Sequence, residues 1–176
     1  MKIYISADIE GITGITHWDE TEKSKSDYQK FAKQMTDEVK AACEGAINAG
    51  AKEIWIKDAH DTGRNISAAD LPQNIKLVRG WSEHPYLMVQ ELDESFDALL
   101  MIGYHSFGSS SSNPLSHTLS SSTLNYIKLN GEYASEFLIH GYAAATMGVP
   151  VVFISGDEGI CKEANKVNKN IKTVAV

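Results

Sequence analysis

Apolar runs just long enough for a strand alternate with stretches of helical periodicity along the whole of this chain. That alternation is the pattern of an α/β layer architecture, in which helices cover a central sheet. Lys2 to Ala7 and Lys52 to Lys57 predict the first two strands, and Ile75 to Val78 a short third. Phe96 to Ile102 is almost continuously apolar, as expected of a central strand covered on both faces. Val151 to Ser155 and Ile171 to Val176 complete the set.

Between the first two strands, Phe31, Met35, Val39, Ala42, Cys43, Ala46 and Ile47 mark the buried stripe of a helix over about 27–48. Ser26 with Gln29 three residues on reads as a capping box, and Gly50 suits the helix stop. Further helices are predicted around Pro85 to Leu92, from Ser135 to Met147 and from Glu158 to Asn168. Asn130-Gly131 between Tyr126–Leu129 and Glu132-Tyr133 predicts a hairpin with a type I′ turn. The expected fold is a three-layer α/β domain over 1–176, with a mostly parallel sheet, helices on both faces and a short β-hairpin. No linker or internal repeat divides it.

The chain carries 16 Lys and Arg against 23 Asp and Glu, a formal net charge of −7. A nucleic-acid binder needs a basic footprint, and none is visible. The same balance disfavours an anionic membrane surface and suits a metal site built from carboxylates. The N-terminus enters a strand pattern with no signal-peptide core, and no window approaches the roughly 18 apolar residues of a membrane span. A cytoplasmic location is therefore expected. Cys43 and Cys161 lie far apart and read as reduced, buried thiols.

The chemistry is suggested by where ionisable residues fall relative to strand ends. Asp8 and Glu10 follow the first strand, Asp58 and His60 the second, and His105 the Phe96–Ile102 strand. Open parallel sheets bind ligands beyond the carboxyl ends of their strands. Three strand ends thus deliver carboxylates and imidazoles to one rim, the donor set of Zn²⁺ or a similar borderline metal. Each residue alone has a plainer reading: Asp8 or Glu10 as a cap or turn residue, His60 as a surface histidine, His105 as a hydrogen-bonded one. Together they point to a metal or polar site. Ser106 to Ser122, with nine serines and His117, is a long loop inside a compact domain, and such loops are more often functional than idle.

Asp8-Ile9-Glu10-Gly11-Ile12-Thr13-Gly14, Lys57-Asp58-Ala59-His60, Gly103-Tyr104-His105, Ser116-His117 and Ser135-Glu136 occur in an order that resembles the zinc D-aminopeptidases of the dipeptide-permease operon type. The resemblance extends to Val149-Pro150-Val151 and Ser155-Gly156-Asp157. It implies two zinc ions per chain, with Asp8 bridging both, Glu10 and His60 completing one, and His105 and Glu136 the other. His117 would match the family's additional catalytic histidine. The implied activity is hydrolysis of short peptides from the amino end, with a D-residue there, by a ring-like homo-oligomer. Members are about half as long again, so the resemblance also implies that the family's C-terminal part is absent here.

Two other functions fit parts of the pattern. Asp8-x-Glu10-Gly11-x-Thr13 is close to the loop of haloacid-dehalogenase-type Mg²⁺ phosphatases, and Ser155-Gly156-Asp157 is similar to their late acidic motif, although hard Mg²⁺ would leave His60 and His105 unexplained. A non-catalytic metal-binding assembly module is the other. His140 stands where the resemblance expects asparagine, and reads as a half-buried, hydrogen-bonded histidine. His17 and His84 read as surface residues, Asp157 and Glu158 as the start of the last helix. Trp18, Trp55 and Trp81 are too scattered in sequence to suggest a stacking platform.

Overall fold

The structure is a computed structural model describing all of residues 1–176. Six strands form one fully parallel sheet: β1 (Lys2–Ala7), β2 (Glu53–Asp58), β3 (Lys76–Val78), β4 (Ala98–Tyr104), and two later ones. After β4 come a two-stranded antiparallel hairpin, β5 (Lys128–Leu129) and β6 (Glu132–Tyr133), then β7 (Val151–Gly156) and β8 (Lys172–Ala175). The order across the sheet is β3-β2-β1-β4-β7-β8, so β1 and β4 are central neighbours. Three helices connect the strands: α1 (Tyr28–Asn48), α2 (Glu136–Thr146) and α3 (Glu158–Val167). None is long and apolar enough to cross a membrane.

Strand alternation divides the core into two halves. Ile3 and Ile5 of β1 point to one face and pack with Phe31, Met35 and Val39 of α1. Tyr4 points to the other and joins Leu99, Met101, Phe137 and Ile160, beneath α2 and α3. The cover on the α1 side is incomplete. An apolar groove of about 760 Å³ remains there, lined by Ala42 and Ala46 of α1 and by Leu100, Val152 and Val174 of the sheet.

The three-layer expectation holds, and the strands fall within about two residues of their predicted bounds. Two local expectations fail. The segment around Pro85 is a single 3₁₀ turn, Leu87–Val89, because the hydroxyl of Tyr4 bonds to the carbonyl of Gln90 and that of Ser6 to Met88. Both carbonyls are thereby taken from helical pairing. The Ser26 capping box does not form: Asp27 is the residue that opens α1, without a side-chain bond. The hairpin turn is as read, with Asn130 and Gly131 both at positive φ (52° and 89°).

Close approach at the carboxyl edge depends on glycine. A Cβ on Gly11 would stand 1.8 Å from the carbonyl oxygen of Tyr104, and one on Gly156 1.9 Å from the same oxygen. The chain after β1 and the end of β7 therefore both close on the last residue of β4. Replacing Gly11 by Ala should cost at least about 2 kcal/mol, because the obstacle is backbone. Gly45→Ala, on an exposed helix position with nothing within 4 Å, should instead stabilise by about 0.5–1 kcal/mol. Urea unfolding of the two variants checks both signs.

Candidate metal centre

The carboxyl ends of β1, β2 and β4 converge as the parallel topology requires. The β1 loop is held to β4 by Asp8 N–H to Ile102 O (2.8 Å) and Gly11 N–H to Gly103 O (2.9 Å). This brings Asp8 and Glu10 beside His60, which follows β2, and His105, which follows β4. Glu136 arrives from the first turn of α2, whose start is capped by Ser135 accepting from Leu138 N–H. His117 comes from the serine-rich loop. Each of the six is buried or nearly so, Asp8 being 2% exposed and His105 1%.

The donors form two groups, Asp8/Glu10/His60 and His105/His117/Glu136, each with its ligand-type atoms within 4.8 Å of one another. Asp8 faces both: Oδ1 lies 3.4 Å from His60 Nδ1, and Oδ2 lies 3.5 Å from His105 Nε2. Glu10 Oε2 is 3.1 Å from His60 Nδ1, and Glu136 Oε2 is 3.4 Å from His105 Nε2. Most of these separations exceed a good hydrogen bond. They suit donors that surround a common ion at about 2.0–2.2 Å each. Glu10 Oε2 and His105 Nε2 are buried with no hydrogen-bond partner at all, an arrangement that is costly unless something else satisfies them.

Each imidazole is aimed by a backbone carbonyl. His60 Nε2 bonds to Thr21 O (3.0 Å), His105 Nδ1 to Ser106 O (3.0 Å) and His117 Nδ1 to Leu115 O (2.9 Å). A carbonyl accepts only, so those nitrogens carry the hydrogens and the opposite nitrogens face the carboxylates. The His117 ring stacks on His105 (4.3 Å, 8°) and takes the edge of Trp18 at 5.3 Å. Its Nε2 is 3.7 Å from Glu136 Oε1, which already accepts Leu119 N–H at 2.8 Å.

Without metal, protons balance the carboxylates. Burial lowers the affinity of His105 for a proton, but Glu136 and Asp8 outweigh it and raise its pKa to about 10. His60 is likewise opposed by burial and held well above the imidazole range by Glu10 and Asp8. Burial pushes Glu10 and Glu136 up, yet the histidines overcome this, placing Glu10 well below its usual range and Glu136 at about 2. Asp8 goes the other way, pushed well above the carboxylate range by burial and by the charge of Glu10.

Other candidates fall outside the cluster. Asp58 accepts from the backbone N–H groups of Asn65 and Ile66 and from Asn65 Nδ2, and so shapes the loop after His60. His140 is fully buried rather than half-buried; its Nδ1–H donates to the Glu136 carbonyl (2.7 Å), and its Nε2 has no partner. His17 is an exposed cap of a 3₁₀ turn, and His84 accepts from Tyr86 N–H. Asp157 caps α3 as expected, and also anchors the serine-rich loop through Ser106 and Asn113. That employment, together with two histidines amid the carboxylates, removes the basis for the phosphatase reading.

Above the donors lies a cavity of about 490 Å³ lined by Asp8, Glu10, His60, His117 and Glu136. Trp18 and Trp81, 63 residues apart in the chain, both reach it, which their spacing gave no means of anticipating. Trp55 does not; it packs edge-on against Phe96.

Residues 1–176 match a family model described as D-aminopeptidase. A D-aminopeptidase of Bacillus subtilis (strain 168) is 30% identical over all 176 residues. A solved structure, the Zn-dependent D-aminopeptidase DppA from Bacillus subtilis, described as a self-compartmentalizing protease, superposes with a TM-score of 0.91 at 30% identity. It too is matched over the whole of this chain. The chain spans 63% of the length of each of these two proteins.

The titrations set a pH profile for the metal-free protein. His105 has a raised folded pKa, so its contribution is complete below about pH 6.5 and is lost as pH rises through about 10. His60 and Asp8, also raised, act in the same direction. Glu136 is depressed, so its contribution is present above the ordinary glutamate value of 4.5 and is lost as pH falls through about 2. Metal-free protein should therefore have a higher urea midpoint near pH 6 than near pH 9. A flat profile over that interval would refute the charge balance described.

Proposed function

The chain belongs to the D-aminopeptidase family, and on that premise we propose that it is a zinc-dependent aminopeptidase acting on short peptides with a D-residue at the amino end. The observation that carries this reading is Asp8, whose two carboxylate oxygens face two separate nitrogen-and-oxygen donor groups. Asp8, Glu10 and His60 would hold one ion, and Asp8, His105 and Glu136 a second. The unpartnered Glu10 Oε2 and His105 Nε2 fit ligand positions. When bound, zinc supplies Lewis-acid polarisation of the peptide carbonyl and a water whose pKa is lowered toward about 7.

The protein's own groups supply the rest. His105 is sealed beneath His117, whereas His117 itself lines the cavity and remains 13% exposed. With its Nδ1–H committed to Leu115 O, His117 has Nε2 left to take up a proton and pass it to the departing amine. Protonated at Nε2, the same ring would stabilise negative charge developing on the scissile carbonyl. The Thr21 and Ser106 carbonyls keep His60 and His105 from rotating away from the carboxylates. The D-preference is supported by family membership. A cytoplasmic homo-oligomer belongs to the same proposal; its assembly is supported by the self-compartmentalizing character of the structural neighbour.

His60→Ala and His105→Ala should each lower bound zinc and reduce peptide hydrolysis by at least about 10²-fold, with the far-ultraviolet circular dichroism retained. Full zinc content in either variant contradicts the ligand assignment. His117→Ala should keep its zinc and lose turnover by about 10²-fold or more; undiminished turnover removes its role. Wild-type protein that retains two zinc ions yet cleaves no short peptide of either chirality would favour a non-catalytic metal-binding module.

A further inference from the structure

The cavity over the donor cluster is lined by both polar and apolar side chains. Trp18, Trp81, Leu87, Met88 and Leu119 supply the apolar part of its lining, alongside the carboxylates and imidazoles. Trp81 is 42% exposed, so part of its indole is open to a ligand. It is nevertheless held from several sides. Its Nε1–H donates to Asp61 O (2.6 Å), and the preceding residue, Gly80, donates N–H to Gly63 O (2.8 Å). The ammonium of Lys57 lies 3.8 Å from the centre of the indole and donates to Gly80 O (2.5 Å).

Lys57 is itself inaccessible to solvent, although lysine is almost never fully buried without a partner. Burial pulls its pKa down to about 8, so the ammonium form still predominates at neutral pH. No carboxylate forms an ion pair with it; its contacts are the Gly80 carbonyl and the Trp81 ring. A desolvated cation against an aromatic face is held there by the ring's negative face. Trp18 is anchored separately: its turn is tied to the site by the His60 bond to Thr21 O, and its ring packs at a steep angle on His117. Both indoles are thus referenced to the same histidine, one through Thr21 and the other through Asp61.

We propose that Trp81, fixed in place by Lys57 and the Asp61 carbonyl, is a specificity-determining residue, and that with Trp18 it receives a bulky apolar or aromatic side chain of the peptide substrate. Pre-anchored indoles offer large contact area with little entropy left to lose on binding. An acidic side chain would meet the carboxylates of Glu22 and Asp61, which also line the cavity, and be disfavoured there. This inference rests on the aminopeptidase reading above and deepens it by naming the substrate side chain. Lys57 is a positioning residue: it acts through Trp81 and does not line the cavity.

The test uses the zinc-loaded 176-residue protein and dipeptides whose amino-terminal residue is D-Ala, D-Leu, D-Phe or D-Glu, followed by a second series varying the next residue. In at least one series kcat/KM should favour the bulky apolar member over the acidic one by tenfold or more, roughly the discrimination an apolar pocket provides. In the series that shows this preference, Trp81→Ala should lower the Phe-to-Ala ratio about tenfold, chiefly through KM, and Trp81→Phe should restore much of it. Lys57→Met, which keeps the stem and removes the charge, should lower the same ratio several-fold with zinc content unchanged. A fall in Tm with an unchanged ratio would overturn the positioning role of Lys57.

Equal hydrolysis of all members in both series would overturn the inference and leave the aminopeptidase reading standing. If nothing is cleaved, quenching of tryptophan fluorescence by D-Phe-Ala but not by D-Glu-Ala, lost in Trp81→Ala, would uphold the pocket while the aminopeptidase reading falls. Absence of both cleavage and quenching would overturn the pocket as well.

Discussion

Three carboxylates and three imidazoles sit almost out of reach of water at one end of the sheet, and the surrounding structure is organised by what that requires. A lone buried charge is too costly to keep. Here each charge has an opposite neighbour at 3.1–3.7 Å, and each ring has a carbonyl holding its far nitrogen. The balance can be struck with protons on the histidines or with divalent cations in their place. Raised histidine pKa values and depressed glutamate values express the first arrangement; unpartnered Glu10 Oε2 and His105 Nε2 belong to the second.

Carboxylates near the strand ends have divided labour. Asp8 and Glu10 face the donor cluster, whereas Asp58 and Asp157 spend their oxygens on backbone and side-chain donors of loops. Those loops matter to the site. Asp58 shapes the segment behind His60, and Asp157 anchors the serine-rich loop that carries His117. Tyr104 plays a comparable role through its backbone: its carbonyl is approached by Gly11 and Gly156 at distances no other residue permits. The donors of the cavity are therefore braced by bonded supports, and Trp81 at its side is held by Lys57 and Asp61.

Much of this is legible in the sequence. The parallel sheet follows from strand-length apolar runs joined by helix-length segments, and α1 from its stripe of Phe31, Met35, Val39 and Cys43. The failures are local and have tertiary causes. Pro85 to Leu92 has a helical pattern, but Tyr4 and Ser6 from the neighbouring strand capture the carbonyls a helix would use. Ser26 has the right spacing for a cap, yet its hydroxyl bonds to Asp27 instead. Asp58 looked equivalent to Asp8, since both end parallel strands at the same edge.

By itself the sequence determined the fold class, the edge at which chemistry gathers, and the residues able to supply it, because strand periodicity and donor type are local properties. Only the tertiary structure decided which donors share a group, that Asp8 faces both, that Asp58 serves a loop, and that Trp18 and Trp81 meet at one cavity. Those outcomes depend on the order β2-β1-β4 and on hydrogen bonds across dozens of residues, and no short-range pattern in the chain encodes such distances.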